Sequence, residues 1–194
     1  MKVGIVKYNA GNVESVGNAL RRLNVEPILT DDATVLQSCD KVIFPGVGEA
    51  SSAMSYLRGK NLDKVIASLT QPVLGVCLGM QLLCELSEEN NTKCFGILPY
   101  KVRKFSAENL KVPQVGWNNI FDLKSKLFEN VEENAFVYFV HSFYVESGAE
   151  TIATCDYATD FSAAIQHENF YAVQFHAEKS GAIGEKIIEN FLKI

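Results

Sequence analysis

The first half of the chain alternates short apolar runs with segments of helical periodicity, and this alternation restricts the fold more than any other feature. The apolar runs at residues 2–6, 26–29, 41–44 and 72–76 are typical of buried strands. Apolar residues recur every three or four positions in three further segments, residues 13–23, 62–69 and 78–86, and Asn12 is the predicted N-cap of the first. Alternating strands and helices predict an α/β fold with a mostly parallel sheet that helices cover on both faces.

Strand signals dominate the second half of the chain. An aromatic and β-branched run covers residues 135–145, and shorter runs follow at 151–155, 162–166 and 171–175. These runs predict hairpins or an antiparallel extension of the same sheet, and a final amphipathic helix is predicted over residues 183–192. Because no repeat, low-complexity tract or linker interrupts the pattern, we expect a single domain over residues 1–194.

Composition narrows the classes of function. The chain is 47% hydrophobic and carries a net charge of -5, which argues against nucleic-acid and anionic-membrane binding. Its five cysteines are odd in number and include no Cys-x-x-Cys pair, so neither a disulfide framework nor a metal site is expected. The apolar run near the N-terminus is too short for a signal peptide and no stretch could span a bilayer, so we expect a cytoplasmic protein.

The segment Gly75-Val76-Cys77-Leu78-Gly79 carries the strongest sign of chemistry. Small residues two before and two after a potential nucleophile, between a strand and a helix, are typical of a nucleophile elbow. Such a turn places the Cys77 sulfur at a helix N-terminus, which favours the reactive thiolate, and aims the Leu78 N–H at the same point as an oxyanion donor. Cysteines are commonly buried core residues, and we interpret the others in that way: Cys39, Cys84, Cys94 and Cys155.

His176 and Glu178 are the candidate base and its partner. They follow an extended run, residues 169–174, and residues two apart in extended backbone point to the same side. A carboxylate beside an imidazole orients the ring and stabilises the imidazolium, so His176 would act as general base for Cys77. The alternative is an inert surface pair. The other histidines are weaker candidates, since His141 lies in an apolar run, facing the core or a substrate, and His167 lies in a polar turn.

These segments, with Pro45-Gly46-Val47-Gly48, Gly116-Trp117-Asn118 and Tyr138-Phe139-Val140-His141-Ser142, resemble the class I (triad) glutamine amidotransferases. More narrowly, they resemble the glutaminase subunits of imidazole glycerol phosphate synthase. The resemblance implies a flavodoxin-like α/β fold and hydrolysis of glutamine to glutamate and ammonia through a cysteine thioester, with no cofactor and no metal. It also implies a heterodimer with a (β/α)8-barrel cyclase subunit. That complex, a lyase, uses the ammonia to form imidazole glycerol phosphate in histidine biosynthesis.

The resemblance also implies roles for residues outside the triad of Cys77, His176 and Glu178. The backbone N–H groups of Val47 and Leu78 would hold the oxyanion, after the loop of residues 45–48 has reoriented. The positions that match the glutamine pocket are Gly46, Gly48, Gln81, Ser142 and Phe143. The positions that match the surface facing the cyclase are Asn12, Trp117, Tyr138 and Lys179. Because glycine tolerates unusual backbone angles, the loop predicts a switch, with low activity in the isolated chain and higher activity with the cyclase.

Three positions depart from the family pattern. Ala177 stands where proline is usual, Gln114 where histidine is usual and Lys7 where an acidic residue is common. Loss of the proline is expected to loosen the His–Glu geometry slightly, and Gln114 is expected near the partner surface. Three alternatives stay open: a triad glutaminase of another synthase, a catalytically inactive binding subunit, and a cysteine hydrolase that acts on peptides.

Overall fold

A computed structural model of the protein describes residues 1–9, 12–106 and 110–194. Ala10 and Gly11, which precede Asn12 in the sequence, lie outside the described residues. The strands are β1 (Val3–Val6), β2 (Ile28–Thr30), β3 (Lys41–Phe44), β4 (Val73–Val76), β5 (Leu86–Ser87), β6 (Thr92–Lys93), β7 (Lys101–Lys104), β8 (Gln114–Ile120), β9 (Ala135–His141), β10 (Phe143–Val145), β11 (Thr151–Tyr157), β12 (Thr159–His167) and β13 (Phe170–Val173). The α-helices are α1 (Val13–Arg22), α2 (Ala33–Gln37), α3 (Ala50–Gly59), α4 (Leu62–Ala67), α5 (Leu78–Leu83) and α6 (Gly181–Lys193).

The central sheet has the strand order β11-β12-β13-β4-β3-β1-β2. The five strands from β13 to β2 pair in parallel, whereas β11 and β12 form an antiparallel hairpin beside β13. The predicted parallel sheet with an antiparallel extension is therefore confirmed. Within the described ranges, every helix is too short or too polar to cross a membrane.

Hydrophobic side chains form two core clusters, one on each face of this sheet. In β3, Val42 and Phe44 join one cluster and Ile43 joins the other, as the two-residue period of a strand requires. Helices α1 and α6 contribute to the Ile43 cluster, and α2, α3, α4 and α5 contribute to the other. Both faces of the sheet are thus covered, which explains why its strands read as continuous apolar runs rather than alternating ones.

The aromatic run at residues 135–145 is divided between two smaller sheets. β9 pairs with β8 as a separate two-stranded ribbon, and β10 pairs with β7 in a four-stranded sheet. The chain changes sheets at Ser142, whose carbonyl accepts a hydrogen bond from the Phe105 N–H at 3.0 Å. This run therefore pairs outside the main sheet, and the antiparallel extension of that sheet comes from the runs at residues 151–155 and 162–166. The pairing partners of β9 and β10, residues 114–120 and 101–104, carry no strong strand pattern of their own.

Several predicted boundaries shift for identifiable reasons. β2 begins at Ile28 and β4 at Val73, each directly after a proline, because proline has no N–H to donate to the strand ladder. α5 ends at Leu83 rather than at residue 86, where a helix was predicted. The last carbonyls of that helix are bound by a following segment: the Phe95 N–H donates to the Leu82 carbonyl at 2.9 Å, and the chain continues from the helix into β5.

Candidate active site

Cys77 occupies a strained turn between β4 and α5. Its φ of 53° lies in a region that residues other than glycine rarely adopt, and such a residue persists only where its surroundings hold it. The Cys77 N–H donates to the Val173 carbonyl at 2.8 Å, which ties the turn to β13. A side chain at Gly79 would place its Cβ 2.0 Å from the Phe44 carbonyl oxygen, and one at Gly75 would lie 3.1 Å from the Gly79 backbone. The flanking glycines are therefore required by the close approach of the backbone.

The Cys77 sulfur borders a cavity of about 320 Å³. Val47, Gly48, Leu78 and His176 line the same cavity. The other cysteines, Cys39, Cys84, Cys94 and Cys155, are buried away from it, and burial is the main cause that raises the pKa of each of their thiols. Among the described residues, Cys77 is therefore the one cysteine placed to meet a small molecule.

His176 and Glu178 form a buried pair beside Cys77. The Nδ1 atom of His176 lies 2.7 Å from Oε1 of Glu178, and both side chains are almost fully buried. The sequence predicted extended backbone through these two residues. Instead, the backbone bends after His176 into a 3-10 turn over Ala177–Lys179. The turn still brings the two side chains together, and the short distance shows that Ala177 does not loosen the pair as expected.

The surroundings of His176 favour its protonated form. Burial by itself lowers the pKa of His176, but hydrogen bonds and charge from Cys77 and Glu178 outweigh burial and raise the pKa to about 10. Nδ1 is engaged with Glu178, so Nε2 is the ring atom left to exchange a proton with Cys77. This is the arrangement needed to take a proton from a thiol and return it to a leaving group.

The Asn12 side chain contacts Glu178 and His176 rather than capping α1. Asn12 stands at the N-cap position with a φ of 78°, but its side chain makes no capping hydrogen bond, so that part of the prediction is wrong. Instead its Nδ2 donates to Oε1 of Glu178 and lies 3.4 Å from Nδ1 of His176. Asn12 therefore helps to hold the carboxylate that orients the imidazole.

The loop at residues 45–48 occupies the predicted oxyanion position. The Leu78 N–H donates to the Gly46 carbonyl oxygen at 3.2 Å, so this donor is engaged by the loop. Tyr8 anchors the loop, because its buried hydroxyl donates to the Pro45 carbonyl at 2.7 Å. A Cβ at Gly46 would lie 2.6 Å from the Tyr8 hydroxyl, and Gly48 has a φ of 112°, so both glycines are needed. A change in the Gly46–Val47 peptide is required before Leu78 can bind an oxyanion.

The predicted glutamine-pocket residues surround the cavity with one exception. Gln81, Ser142, Phe143 and Gly48 line it, whereas Gly46, within the loop of residues 45–48, is buried and does not line the cavity. Glu89 also lines the cavity and was missed, because nothing in its polar sequence surroundings distinguishes it. Its carboxylate accepts the Ala50 N–H at 2.7 Å, and burial is the main cause that raises its pKa.

Gln174 is a second residue that the sequence interpretation missed. It is fully buried, and its Nε2 lies 3.7 Å from the Cys77 sulfur. Its Oε1 accepts a hydrogen bond from Nε2 of Gln81 at 2.9 Å. The sequence places Gln174 just ahead of His176, but local pattern alone does not reveal contacts with residues more than ninety positions away.

His141 and Gln114 form a buried polar pair beneath the cavity. Nδ1 of His141 lies 2.7 Å from the Phe143 carbonyl, and its Nε2 lies 2.8 Å from Oε1 of Gln114. Burial lowers the pKa of His141 to about 4, so it is neutral at physiological pH and unsuited to act as the base. Gln114 is 3% exposed, which contradicts its expected place near the partner surface. Its side chain points inward because alternate residues of β8 face the core.

Two of the predicted partner-facing residues, Trp117 and Tyr138, lie on the β8–β9 ribbon, which exposes an apolar surface. Trp117 is 55% exposed and packs edge-on against Tyr138, with ring centroids 5.8 Å apart. Val115 and Phe136 are also exposed on this ribbon. Lys179 is exposed and also lines the cavity. The described residues contain no cluster of metal-binding side chains.

Comparisons with known proteins agree on a family. The family model for glutamine amidotransferase class-I matches residues 5–194. The protein named imidazole glycerol phosphate synthase subunit HisH from Bacteroides fragilis strain YCH46 is 54% identical over 196 residues, spanning 100% of both chains. The protein of the same name from Escherichia coli strain K12 is 43% identical, again over 100% of both chains.

Solved structures share the fold. A glutamine amidotransferase superposes with a TM-score of 0.77 at 17% identity, covering 100% of this chain and 98% of that chain. PurLQS from Thermotoga maritima superposes with a TM-score of 0.74 at 17% identity, covering 99% of this chain and 97% of that chain. At these low identities the likeness is one of fold.

Proposed function

The chain belongs to the class I glutamine amidotransferases, and from this membership we propose that it is the glutaminase subunit of an imidazole glycerol phosphate synthase. The observation that carries the proposal is the meeting of three features at one cavity. These are the strained Cys77 turn, the 2.7 Å His176–Glu178 pair and the loop that binds the Leu78 N–H. The reaction is hydrolysis of the glutamine side-chain amide to glutamate and ammonia.

The proposed mechanism uses Cys77 as nucleophile and His176 as acid and base. His176 takes the thiol proton, and the sulfur attacks the amide carbon to form a tetrahedral intermediate. The imidazolium then gives its proton to the leaving nitrogen, and ammonia departs from a glutamyl thioester. Water, activated by His176, hydrolyses the thioester and regenerates the thiol. Glu178 and Asn12 support this cycle by holding the imidazole and stabilising its charged form.

The oxyanion of each tetrahedral intermediate would be held by the N–H groups of Leu78 and Val47. Two preorganised donors of this kind stabilise the transition state by roughly 3 kcal/mol each. In the structure the Leu78 donor is bound to the Gly46 carbonyl, so rotation of the Gly46–Val47 peptide must come first. Low activity of the isolated chain follows from this contact, and we propose that the partner subunit promotes the rotation.

Glutamine would bind with its side-chain amide towards Cys77 and its charged groups towards the rim of the cavity. Both hydrogens of the Gln81 amide are used, on the Phe143 carbonyl and on Gln174, so its free Oε1 can accept from the substrate ammonium. The Glu89 carboxylate lines the same cavity and adds a negative charge for that ammonium. Ser142 and Phe143, at the break between β9 and β10, line the cavity as well.

The proposed partner is a (β/α)8-barrel cyclase subunit that receives the ammonia. The exposed apolar surface of the β8–β9 ribbon supports this pairing, since an aromatic patch of this kind is typical of an interface core. The ribbon also contacts the catalytic residues: the Tyr138 carbonyl accepts the His176 N–H at 2.9 Å. A barrel docked there would lie beside the site where ammonia is released.

Covalent labelling tests the proposed chemistry. An electrophilic glutamine analogue carrying a diazoketone in place of the amide should alkylate Cys77, and excess glutamine should protect it. Peptide mass spectrometry locates the adduct, with Cys84 and Cys155 as internal controls because both are fully buried. Labelling spread evenly over the cysteines, or unaffected by glutamine, would exclude the proposed site.

A further inference from the structure

Two buried glutamine side chains connect the proposed substrate cavity to the nucleophile. Gln174 follows β13, the strand beside β4, and its side chain is fully buried under the Cys77 turn. Its Nε2 lies 3.7 Å from the Cys77 sulfur, and its Oε1 accepts from Nε2 of Gln81 at 2.9 Å. Gln81 Nε2 also donates to the Phe143 carbonyl at 2.9 Å.

The Phe143 carbonyl determines which way both amides point. A backbone carbonyl can only accept hydrogen bonds, so the Gln81 atom that faces it must be the nitrogen. The same nitrogen faces Gln174, so the Gln174 atom that meets it must be the oxygen. The Gln174 nitrogen is then left to point at the Cys77 sulfur. The order of donors is therefore set by one unambiguous acceptor.

The two amides run head to tail. Each accepts at its oxygen from the cavity side and donates at its nitrogen towards Cys77, and hydrogen bonds linked in this way polarise one another. A positive group at Oε1 of Gln81 would strengthen each donor along the chain. The last donor is the Gln174 N–H, which points at the Cys77 sulfur. Its hydrogen bond is strongest when the sulfur carries a negative charge.

Besides His176, the sulfur has two polar contacts, one suited to each of its protonation states. As a thiol, Cys77 can donate to the Val140 carbonyl at 3.7 Å. As a thiolate it has no hydrogen to donate, and the Gln174 N–H becomes the favourable contact. A fully buried amide gives this stabilisation without adding charge to the site.

We propose that Gln174 is a donor to the nucleophilic sulfur that stabilises the Cys77 thiolate and couples it to substrate bound at Gln81. The coupling rests on the proposed glutaminase function, whereas the contact with sulfur does not depend on it. Gln174 thus belongs to the machinery of the reaction, although it is neither part of the triad nor in contact with the open cavity.

The pH dependence of Cys77 alkylation tests the proposal in the full chain. In Gln174→Met, which keeps the side-chain length but lacks the donor, the midpoint of iodoacetamide reactivity should rise by about one pH unit. The plateau rate at high pH should rise about threefold, because a more basic thiolate is the stronger nucleophile. A merely structural role would not move midpoint and plateau upward together. Gln166→Met, on the adjacent strand β12 and outside the cavity, is the matched control.

A midpoint in folded Gln174→Met equal to that of the unchanged chain would overturn the proposal. Gln174→Asn, which retracts the amide by one methylene, serves if the methionine variant does not fold, and its midpoint should also rise. Glutamine hydrolysis by Cys77→Ala separates the role of Gln174 from the proposed glutaminase function. Its loss together with an unshifted Gln174 midpoint would refute the role of Gln174 alone, and its persistence would refute the proposed function.

Discussion

Glu178 joins two side chains beside Cys77, the proposed nucleophile. Its Oε1 meets both Nδ1 of His176 and the Asn12 amide. Its Oε2 is buried and has no hydrogen-bond partner within the described ranges, so the carboxylate depends on Oε1 for its contacts. Because burial lowers the pKa of His176, its raised value depends on the negative charge of its neighbours.

Replacing the Glu178 carboxylate with a neutral amide should shift the pH profile of activity. In Glu178→Gln the pKa of His176 should fall from about 10, and the alkaline limb of kcat/KM should move down by about one to three pH units. The raised pKa also stabilises the fold below pH 6.5, and this contribution is lost as the pH rises towards 10. The variant should therefore lose most stability, relative to the unchanged chain, at the acid end of that window.

Activity profiles and thermal unfolding across the window check both effects. Glu189→Gln on α6 is the control, since this exposed carboxylate pairs with Lys186 and Lys193 at the surface. Superimposable profiles for Glu178→Gln and the unchanged chain would contradict the role given to Glu178.

Residues of the site differ in how far the sequence reveals them. Cys77 could be predicted because its flanking glycines report a tight turn, and His176 and Glu178 because they lie two residues apart after an apolar run. Gln174 and Glu89 could not, because their importance lies in contacts across the fold. Gln114 was misplaced because its strand, β8, shows its two faces only once it is paired with β9.

At the scale of elements, the β8–β9 ribbon joins the proposed partner surface to the active site. Its inner face carries Val137 and Phe139 into the core, and its outer face exposes Trp117 and Phe136. Its backbone contacts the proposed catalytic residues, since the Val140 carbonyl contacts the Cys77 sulfur and the Tyr138 carbonyl accepts the His176 N–H. A partner that moved this ribbon would move the site with it.

Trp117→Ala should weaken the complex without weakening the fold. Truncating a central interface aromatic commonly costs at least 2 kcal/mol, about a thirtyfold rise in Kd for the cyclase subunit. The thermal midpoint of the isolated chain should change little because Trp117 is largely exposed. Titration calorimetry with the cyclase subunit provides the measurement.

Ile28→Ala is the control for that titration, because β2 lies at the opposite edge of the main sheet from β11, to which the ribbon is bridged. Equal affinity of the cyclase for Trp117→Ala and for the unchanged chain would place the interface elsewhere.

The sequence predicted the positions of the main strands because their apolar runs are local. It did not predict the ribbon as a separate unit, since β8 becomes recognisable only beside β9.

In the whole molecule, neighbouring parallel strands bring the residues of the proposed active site to one edge of the sheet. Tyr8 follows β1, the loop of residues 45–48 follows β3, Cys77 follows β4 and His176 follows β13. The carboxyl ends of parallel strands share an edge, so the order β13-β4-β3-β1 is enough to assemble the site. This arrangement could be predicted from the alternation of strands and helices, whereas the state of the loop could not, because a single peptide rotation decides it.

Glutamate release from glutamine is the decisive measurement for the proposed glutaminase function. It is measured for the chain alone, then with an imidazole glycerol phosphate synthase cyclase subunit and its nucleotide ligand, and again with Cys77→Ala in the same complex. Low activity alone, a large rise in the complex and complete loss in Cys77→Ala are the predicted results, because the partner must free the Leu78 N–H from the Gly46 carbonyl. Full activity of the isolated chain, or substantial activity of Cys77→Ala, would contradict the account.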